Sequence, residues 1–253
     1  MASITCKSLV VKIGGSAITD KTKSYTIKHD VLVRVAEAIA RAYADNKKVI
    51  VVHGGGSFGH YEVDVIRRQK GVLDHTDSGR IQLAMLRLAL EVIKKFVDKN
   101  VPAVLHPPHT YCKGGDIKVC DFTPILRDLE LGLIPVTYGD AIPEEDGVAI
   151  LSGDDLAAAL AHISHADCLI YVIDKAGVMS EEGERIPIVT QKDIEVIGKP
   201  KGFDVTGGMA KKLRVALEAS RESETTVVIT DVDGLEMIIK GKRPGEVGTL
   251  VKG

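Results

Sequence analysis

The run Val49-Ile50-Val51-Val52-His53-Gly54-Gly55-Gly56-Ser57-Phe58-Gly59-His60 constrains this chain more than any other segment. A buried strand empties there into a glycine loop that closes on a histidine. Glycines let backbone N–H groups come close to an anion, and the loop suits a dense negative ligand such as a phosphate, with His60 adding a side-chain contact. Gly54, Gly56 and Gly59 also satisfy the Gly-x-Gly-x-x-Gly dinucleotide pattern, which needs an acidic residue at the end of a second strand about twenty positions on. Asp74 and Asp77 lie at that distance, but the residues before them, Arg67-Arg68-Gln69-Lys70-Gly71-Val72-Leu73, are polar and charged. The loop moreover follows the second strand of the chain, not the first, so a dehydrogenase site is disfavoured.

Short apolar runs alternate with helical patterns along almost the whole chain, the mark of a mainly parallel sheet covered by helices. Strands are expected at Leu9 to Ile13, Val49 to His53, Ala103 to His106, Ile134 to Thr137, Cys168 to Ile173 and Thr226 to Ile229. Helical spacing marks Val31 to Tyr43, Ile81 to Val97, Asp154 to Ile163 and Met209 to Ser220. The fold class is α/β, a three-layer α/β/α sandwich with a mainly parallel central sheet. Glycine- and charge-rich stretches at Gly14 to Ser24, Gly54 to Gly59, Ser152 to Asp155, Asp174 to Gly183 and Gly198 to Gly208 mostly follow strands, where open parallel sheets gather ligands. The segment Pro143 to Ser152 reads as a hairpin. No linker or internal repeat divides the chain, so 1–253 is expected to form a single domain, with an acceptor-binding half over about 1–150 and a nucleotide-binding half over 151–253.

With 45% apolar residues and a net charge of −2, the chain can build a large core and carries no general basic face for nucleic acid. Small molecules are the expected partners. No apolar stretch reaches membrane-spanning length and the first residues lack a signal-peptide layout, so a cytoplasmic location is expected. The four cysteines, Cys6, Cys112, Cys120 and Cys168, form no C-x-x-C pair and are expected to be free thiols. His106, His109, Cys112 and Cys120 include zinc-ligand types but not a common paired spacing. A proline-bearing loop with a hairpin through Lys113-Gly114-Gly115-Asp116 explains them more simply.

The first strand ends in Val11-Lys12-Ile13-Gly14-Gly15-Ser16, and Lys21 follows in the next loop. A lysine inside an apolar strand is costly to desolvate without an anionic partner, so Lys12 reads as a phosphate ligand unless it snorkels from an edge strand. Together Lys12-x-Gly14-Gly15-Ser16, Lys21 and the His53 to His60 segment resemble the amino acid kinase superfamily over nearly the whole chain. Ser152-Gly153-Asp154-Asp155, Val172 to Val178, Thr206-Gly207-Gly208-Met209 with Lys211-Lys212, and Gly248-Thr249-Leu250-Val251 extend the match in order. Within it, Ser57-Phe58-Gly59-His60 is similar to the isopentenyl phosphate kinases, with the fosfomycin kinases next.

The resemblance implies ATP-dependent phosphorylation of isopentenyl phosphate, with Mg2+ carried by the nucleotide, in a homodimer. By the same resemblance Lys12, Gly14, Gly15 and Ser16 hold the ATP phosphates and Lys21 stabilises the group in transfer. Gly55 and Gly56 offer amides, one toward each substrate. His60 binds the acceptor phosphate with Gly153 nearby, Asp154 orients Lys12 and Lys212, and Asp174, Met179, Gly208 and Lys212 line the nucleotide pocket. Such chemistry needs fixed positive charge more than a strong base, because the acceptor oxygen is already ionised. Plainer roles stay open: Asp154 as a helix N-cap, Lys212 as a solvated helix lysine, Gly207-Gly208 as a turn. The other functions open are a fosfomycin-type kinase and a nucleotide-binding sensor without catalysis. The apolar helix carrying Leu83, Met85, Leu86, Leu88, Ala89, Leu90, Val92 and Ile93 has more greasy surface than one buried stripe needs, and part of it suits an alkenyl slot.

Overall fold

Strand, glycine turn and covering helix succeed one another from Ser8 onward. The computed structural model describes residues 6–196, 207–222 and 224–253. In chain order the elements are β1 (Ser8–Ile13), α1 (Gly15–Ile18), α2 (His29–Ala44), β2 (Lys48–His53), α3 (Gly56–Lys70), α4 (His75–Val97), β3 (Ala103–Leu105), α5 (Thr123–Glu130), β4 (Ile134–Tyr138) and β5 (Asp140–Glu144). They continue with β6 (Gly147–Leu151), α6 (Gly153–Ile163), β7 (Cys168–Val172), β8 (Ile188–Thr190), α7 (Gln191–Val196), α8 (Gly207–Glu222), β9 (Thr226–Thr230), α9 (Val232–Ile239), α10 (Pro244–Val247) and β10 (Thr249–Lys252).

Among the described residues the main sheet has eight strands in the order β3-β4-β2-β1-β7-β9-β10-β8. The six strands from β3 to β9 run parallel, while β10 turns back antiparallel to β9 and pairs in parallel with β8. β5 and β6 form a separate antiparallel hairpin, where the sequence marks one. Every run expected to be a strand is one, and the architecture is the expected three-layer α/β/α sandwich.

The two-residue period of β1 sorts its side chains between two cores. Leu9, Val11 and Ile13 join the layer built with α2, α4 and α9, whereas Val10 faces the layer built with α6 and α8. Lys12 shares the parity of Val10 and so faces α6 and α8. In β7 the same alternation puts Tyr171 on that face, paired in register with Lys12. Because β1 lies between β2 and β7, Lys12 is not on an edge and cannot snorkel to water.

Three expectations need correction. The glycine loop is shorter than its letters suggest, because the amides of Phe58 and Gly59 both donate to the Gly55 carbonyl and wind the chain into α3 from Gly56 on. His60 therefore stands in the early turns of a helix. Between Lys113 and Asp116 there is no hairpin: two short 3-10 turns, Pro108–Thr110 and Ile117–Val119, bracket the segment. The cysteines are not free. Cys6 is bonded to Cys168 and Cys112 to Cys120, since the residues before β1 lie beside the start of β7 and the two short turns fold Cys112 back to within a Cα separation of 4.0 Å from Cys120.

The long helix α4 starts with a capping box, in which the Asp74 carboxylate accepts from the Thr76 amide and the Asp77 carboxylate accepts from the Asp74 amide. Its Leu88, Val92 and Phe96 are fully buried in the larger core layer. Phe96→Ala is expected to cost about 3–5 kcal/mol of unfolding free energy in urea denaturation; a loss well under 1 kcal/mol would contradict this packing.

Candidate active site

A cavity of about 570 Å3 opens at the carboxyl ends of β1 and β2, where the chain leaves the sheet through glycine turns. Two backbone loops form its floor. On one side β1 runs through Gly14, Gly15 and Ser16 into α1; on the other β2 runs through Gly54 and Gly55 into α3. The loops touch, since a Cβ on Gly15 would collide with the Gly56 backbone. The Gly14 amide donates to the Val172 carbonyl at 2.7 Å and the Gly54 amide to the Ile13 carbonyl at 2.9 Å, tying both turns to the sheet. Among the described residues, the amides of Gly15, Ser16, Gly55 and Gly153, all of which line the cavity, have no protein acceptor. Unpaired amides converging on one hollow make an anion-binding surface.

Charge is concentrated at its centre. Lys12 Nζ lies 2.7 Å from Asp154 Oδ1, and Lys212 Nζ lies 2.8 Å from both Asp154 oxygens. Asp154 is held for this by α6, whose N-cap is Ser152: the Ser152 hydroxyl accepts from the Asp154 amide at 3.2 Å. The capping role open to Asp154 is thus filled by Ser152, and the Asp154 carboxylate bridges the two lysines. Lys212, from α8, is buried over the Tyr171 ring, 5.1 Å from the centroid.

Burial alone would raise the Asp154 pKa, but the two ammonium groups outweigh it and hold the carboxyl well below the usual carboxylate range. Burial, reinforced by the neighbouring Lys12 charge, pushes the Lys212 ammonium down to about 7 against the opposing pull of Asp154. Two lysines share one carboxylate in a poorly hydrated place, and Lys212 sheds its proton near pH 7 because burial disfavours its charge and the negative charge there falls short of two cations. A bound polyanion would supply the missing charge.

His60 is exposed on the cavity wall. The surrounding protein strips hydration from its ring and the Lys12 and Lys21 charges repel a proton, so its pKa falls below 6.5 although Asp64 and Asp154 act the other way. At neutral pH it is an uncharged N–H donor. Lys21, exposed in the loop after α1, also lines the cavity and has no ion-pair partner among the described residues. The same cavity is lined by the apolar side chains Val63, Ile81, Met85 and Ile150. Of the α4 residues marked for a greasy slot only Met85 faces the cavity; Leu88, Ala89 and Val92 pack in the cores, and Leu83 and Leu90 point to solvent.

The cavity brings together Lys12, Gly14, Gly15, Ser16, Lys21, Gly55, His60, Gly153, Asp154, Asp174, Met179 and Lys212. Gly56 lies one layer behind the wall, against Gly15 and Thr19. Gly208 falls in the first turn of α8, beside Met209, which lines the cavity; Thr206 and the stretch from Gly198 to Thr206 lie outside the described residues. The zinc-ligand types are engaged elsewhere: His106 Nε2 pairs with Asp128 at 2.9 Å and His109 Nδ1 with Asp140 at 2.7 Å.

Sequence reasoning missed Tyr171, Asp140 and His53 as parts of this site. Tyr171 sits beside Lys12 only through strand register. Burial raises the Asp140 pKa while His109 draws it down, and no motif marks that pair. His53 is fully buried, stacked 5.1 Å from Tyr138, and donates from Nδ1 to the Gly54 carbonyl at 3.2 Å; burial pushes its pKa down to about 4.

The amino acid kinase family model matches residues 7–231. The chain belongs to the amino acid kinase family. This family member is 34% identical over 219 residues to the isopentenyl phosphate kinase of Methanocaldococcus jannaschii, covering 81% of this chain and 84% of that one. It is 32% identical over 248 residues to the isopentenyl phosphate kinase of Haloferax volcanii, with 94% and 97% covered. The structure of a T. acidophilum isopentenyl phosphate kinase product complex superposes with a TM-score of 0.76 over 96% of this chain and 99% of the other at 23% identity, which shows the same fold.

A polyphosphate bound against Lys212 would favour the ammonium form. Since the unliganded ammonium loses its proton near pH 7, ATP binding at pH 7.5–8 is expected to take up protons, seen in calorimetry as a binding enthalpy that varies with the ionisation enthalpy of the buffer. Lys212→Met is expected to abolish that dependence. A binding enthalpy identical in all buffers would contradict it.

Proposed function

We propose that this chain transfers the γ-phosphoryl group of ATP to the phosphate of isopentenyl phosphate, giving isopentenyl diphosphate and ADP. The observation that carries the reading is the cavity itself: one cavity is lined by the Lys12–Asp154–Lys212 cluster, by His60 and by the apolar side chains Val63, Ile81, Met85 and Ile150. An acceptor with an anionic head and a short hydrocarbon tail matches that combination of surfaces. The two isopentenyl phosphate kinases with over 30% identity support the same acceptor.

In this reading Lys12 and Lys212, oriented by Asp154, and the amides of Gly15 and Ser16 hold the ATP phosphates, while Asp174 and Met179 and the start of α8 at Gly208 enclose the nucleoside. His60 donates a hydrogen bond to the acceptor phosphate, and the amides of Gly55 and Gly153 add two more; Gly56, behind the wall, serves mainly to let the loops meet. An acceptor phosphate oxygen attacks the γ-phosphorus, the bond to the ADP oxygen breaks, and Lys21 meets the charge on the group in flight. No base is needed, and Asp154, paired with both lysines, is not one. Mg2+ would travel on the nucleotide phosphates, where it neutralises charge; among the described residues no three His, Cys, Asp or Glu side chains cluster to hold a metal.

Residues to about 150 supply most of the acceptor side and the remainder most of the nucleotide side of one domain, with the turn after β1 reaching across to the ATP phosphates and Gly153 to the acceptor. The resemblance to the family makes a homodimer part of the same reading. No helix among the described residues is long and apolar enough to cross a membrane, and the reading places the enzyme with its soluble substrates in the cytoplasm. The uncommitted Lys21 argues against a sensor without catalysis, which has no use for a group that acts in the transition state.

Purified protein with MgATP and a panel of small monophosphates, fosfomycin and acetylglutamate tests the reading, with isopentenyl phosphate expected to be the preferred acceptor; preference for a carboxylate would overturn it. Lys21→Ala is expected to lower kcat about a hundredfold, the loss of about 3 kcal/mol of transition-state stabilisation, with ATP affinity little changed. His60→Ala should raise the acceptor KM steeply while leaving ATP binding intact, and His60→Asn or His60→Gln should recover part of the activity because the ring acts as a neutral donor. Normal acceptor kinetics in His60→Ala would remove the phosphate-acceptor assignment.

A further inference from the structure

We infer that the Thr19 hydroxyl is a positioning group that sets the spacing between the two anion-binding loops, an inference that rests on the reading that two phosphates meet between them. Thr19 ends α1 and is fully buried. Its Oγ1 donates to the Gly15 carbonyl at 2.7 Å and accepts from the Ser57 amide at 2.9 Å. The proton of one hydroxyl is committed to the nucleotide-side loop, and a lone pair to the first turn of the helix that carries His60.

Gly56 is caught between them. A Cβ there would run into Thr19 Oγ1 and come within 2.8 Å of the Gly15 carbonyl oxygen. Glycine lets the loops touch, and Thr19 fixes how they touch. Ser57 extends the junction to the third part of the site: its carbonyl accepts from the Tyr25 amide at 2.9 Å, and its hydroxyl lies 3.2 Å from the Thr26 amide, which donates to it. The segment holding Lys21 is therefore tied to the same helical turn.

Thr19 does not line the cavity. Its effect is on the distance between two bound groups and not on the binding of either. In-line phosphoryl transfer is sensitive to that distance, and a displacement of about 1 Å can cost a hundredfold in rate. Without the hydroxyl, the Gly15 carbonyl keeps the Thr19 amide at 2.9 Å but the Ser57 amide loses its acceptor, so the hydrogen bond that joins the two loops here is lost and their register is released.

Thr19→Val keeps the branched shape and removes the hydroxyl, whereas Thr19→Ser keeps the hydroxyl and removes a methyl. Steady-state kinetics on the full chain, with calorimetric Kd values for MgATP and for isopentenyl phosphate alone, separate spacing from binding. Thr19→Val is expected to lower kcat tenfold or more while each separate Kd stays within about threefold, and Thr19→Ser to restore most of the rate. A kcat near wild type in Thr19→Val would overturn the inference, as would equal losses in the Val and Ser variants or a loss of kcat matched by loss of binding. If Thr19→Val does not fold, Thr19→Ala against Thr19→Ser decides by the same measurements. A wild-type protein inactive on isopentenyl phosphate but active on another monophosphate overturns only the acceptor assignment, and the Thr19 comparison is then made with that acceptor; inactivity on every monophosphate overturns both.

Discussion

A lysine in the middle of an apolar strand, at the centre of a sheet, is the constraint around which this molecule is arranged. Lys12 cannot reach bulk water from β1, and an uncompensated ammonium there would cost several kcal/mol. Asp154 compensates it at 2.7 Å, and the start of α6 must then lie over the carboxyl ends of β1 and β2. Lys212 shares the same carboxylate, which in turn fixes α8. Two lysines share one carboxylate, so Lys212, with its pKa pushed down to about 7, holds its proton only weakly until an anion arrives. Stability and function meet at that weakly held proton.

The glycine turns follow from the same demand. An anion brought to the lysines needs donors on its other sides, and backbone amides supply them without the entropy cost of ordering long side chains. Gly15 and Gly56 are in contact, so neither loop tolerates a side chain at the junction. Gly59 is equally confined, because Met85 of α4 packs where its Cβ would be. One glycine thus brings α4, with its apolar wall, against the helix that presents His60.

Much of this was legible in the letters. Alternation of apolar runs and helical patterns announced the layered sheet, and Lys12, Lys21, His60, Asp154 and Lys212 stood out because charged or titratable groups sat in otherwise apolar or glycine-rich surroundings. What stayed hidden depends on distance in sequence. Cys6 lies 162 residues from Cys168, and Tyr171 reaches Lys12 only through strand register. α3 was unread because its surface is polar and its first turns are glycines, which signal a loop when seen without Met85 beside them. The His109–Asp140 pair likewise joins a 3-10 turn to the start of β5, and neither residue carries a local signature.

The position of β1 in the sheet has a consequence for the order of events during synthesis. β1 leaves the ribosome long before one of its neighbours, β7, which begins at Cys168, and before its counter-ion Asp154, which lies scarcely earlier than β7. A nascent chain that has paired β1 with β2 still exposes the other hydrogen-bonding edge of a central strand, with a lysine whose partner has not been made. Such an edge is an open template for strands of other chains, and the unpaired ammonium of Lys12, awkward in the finished core, keeps that edge in water until the second half of the sheet arrives.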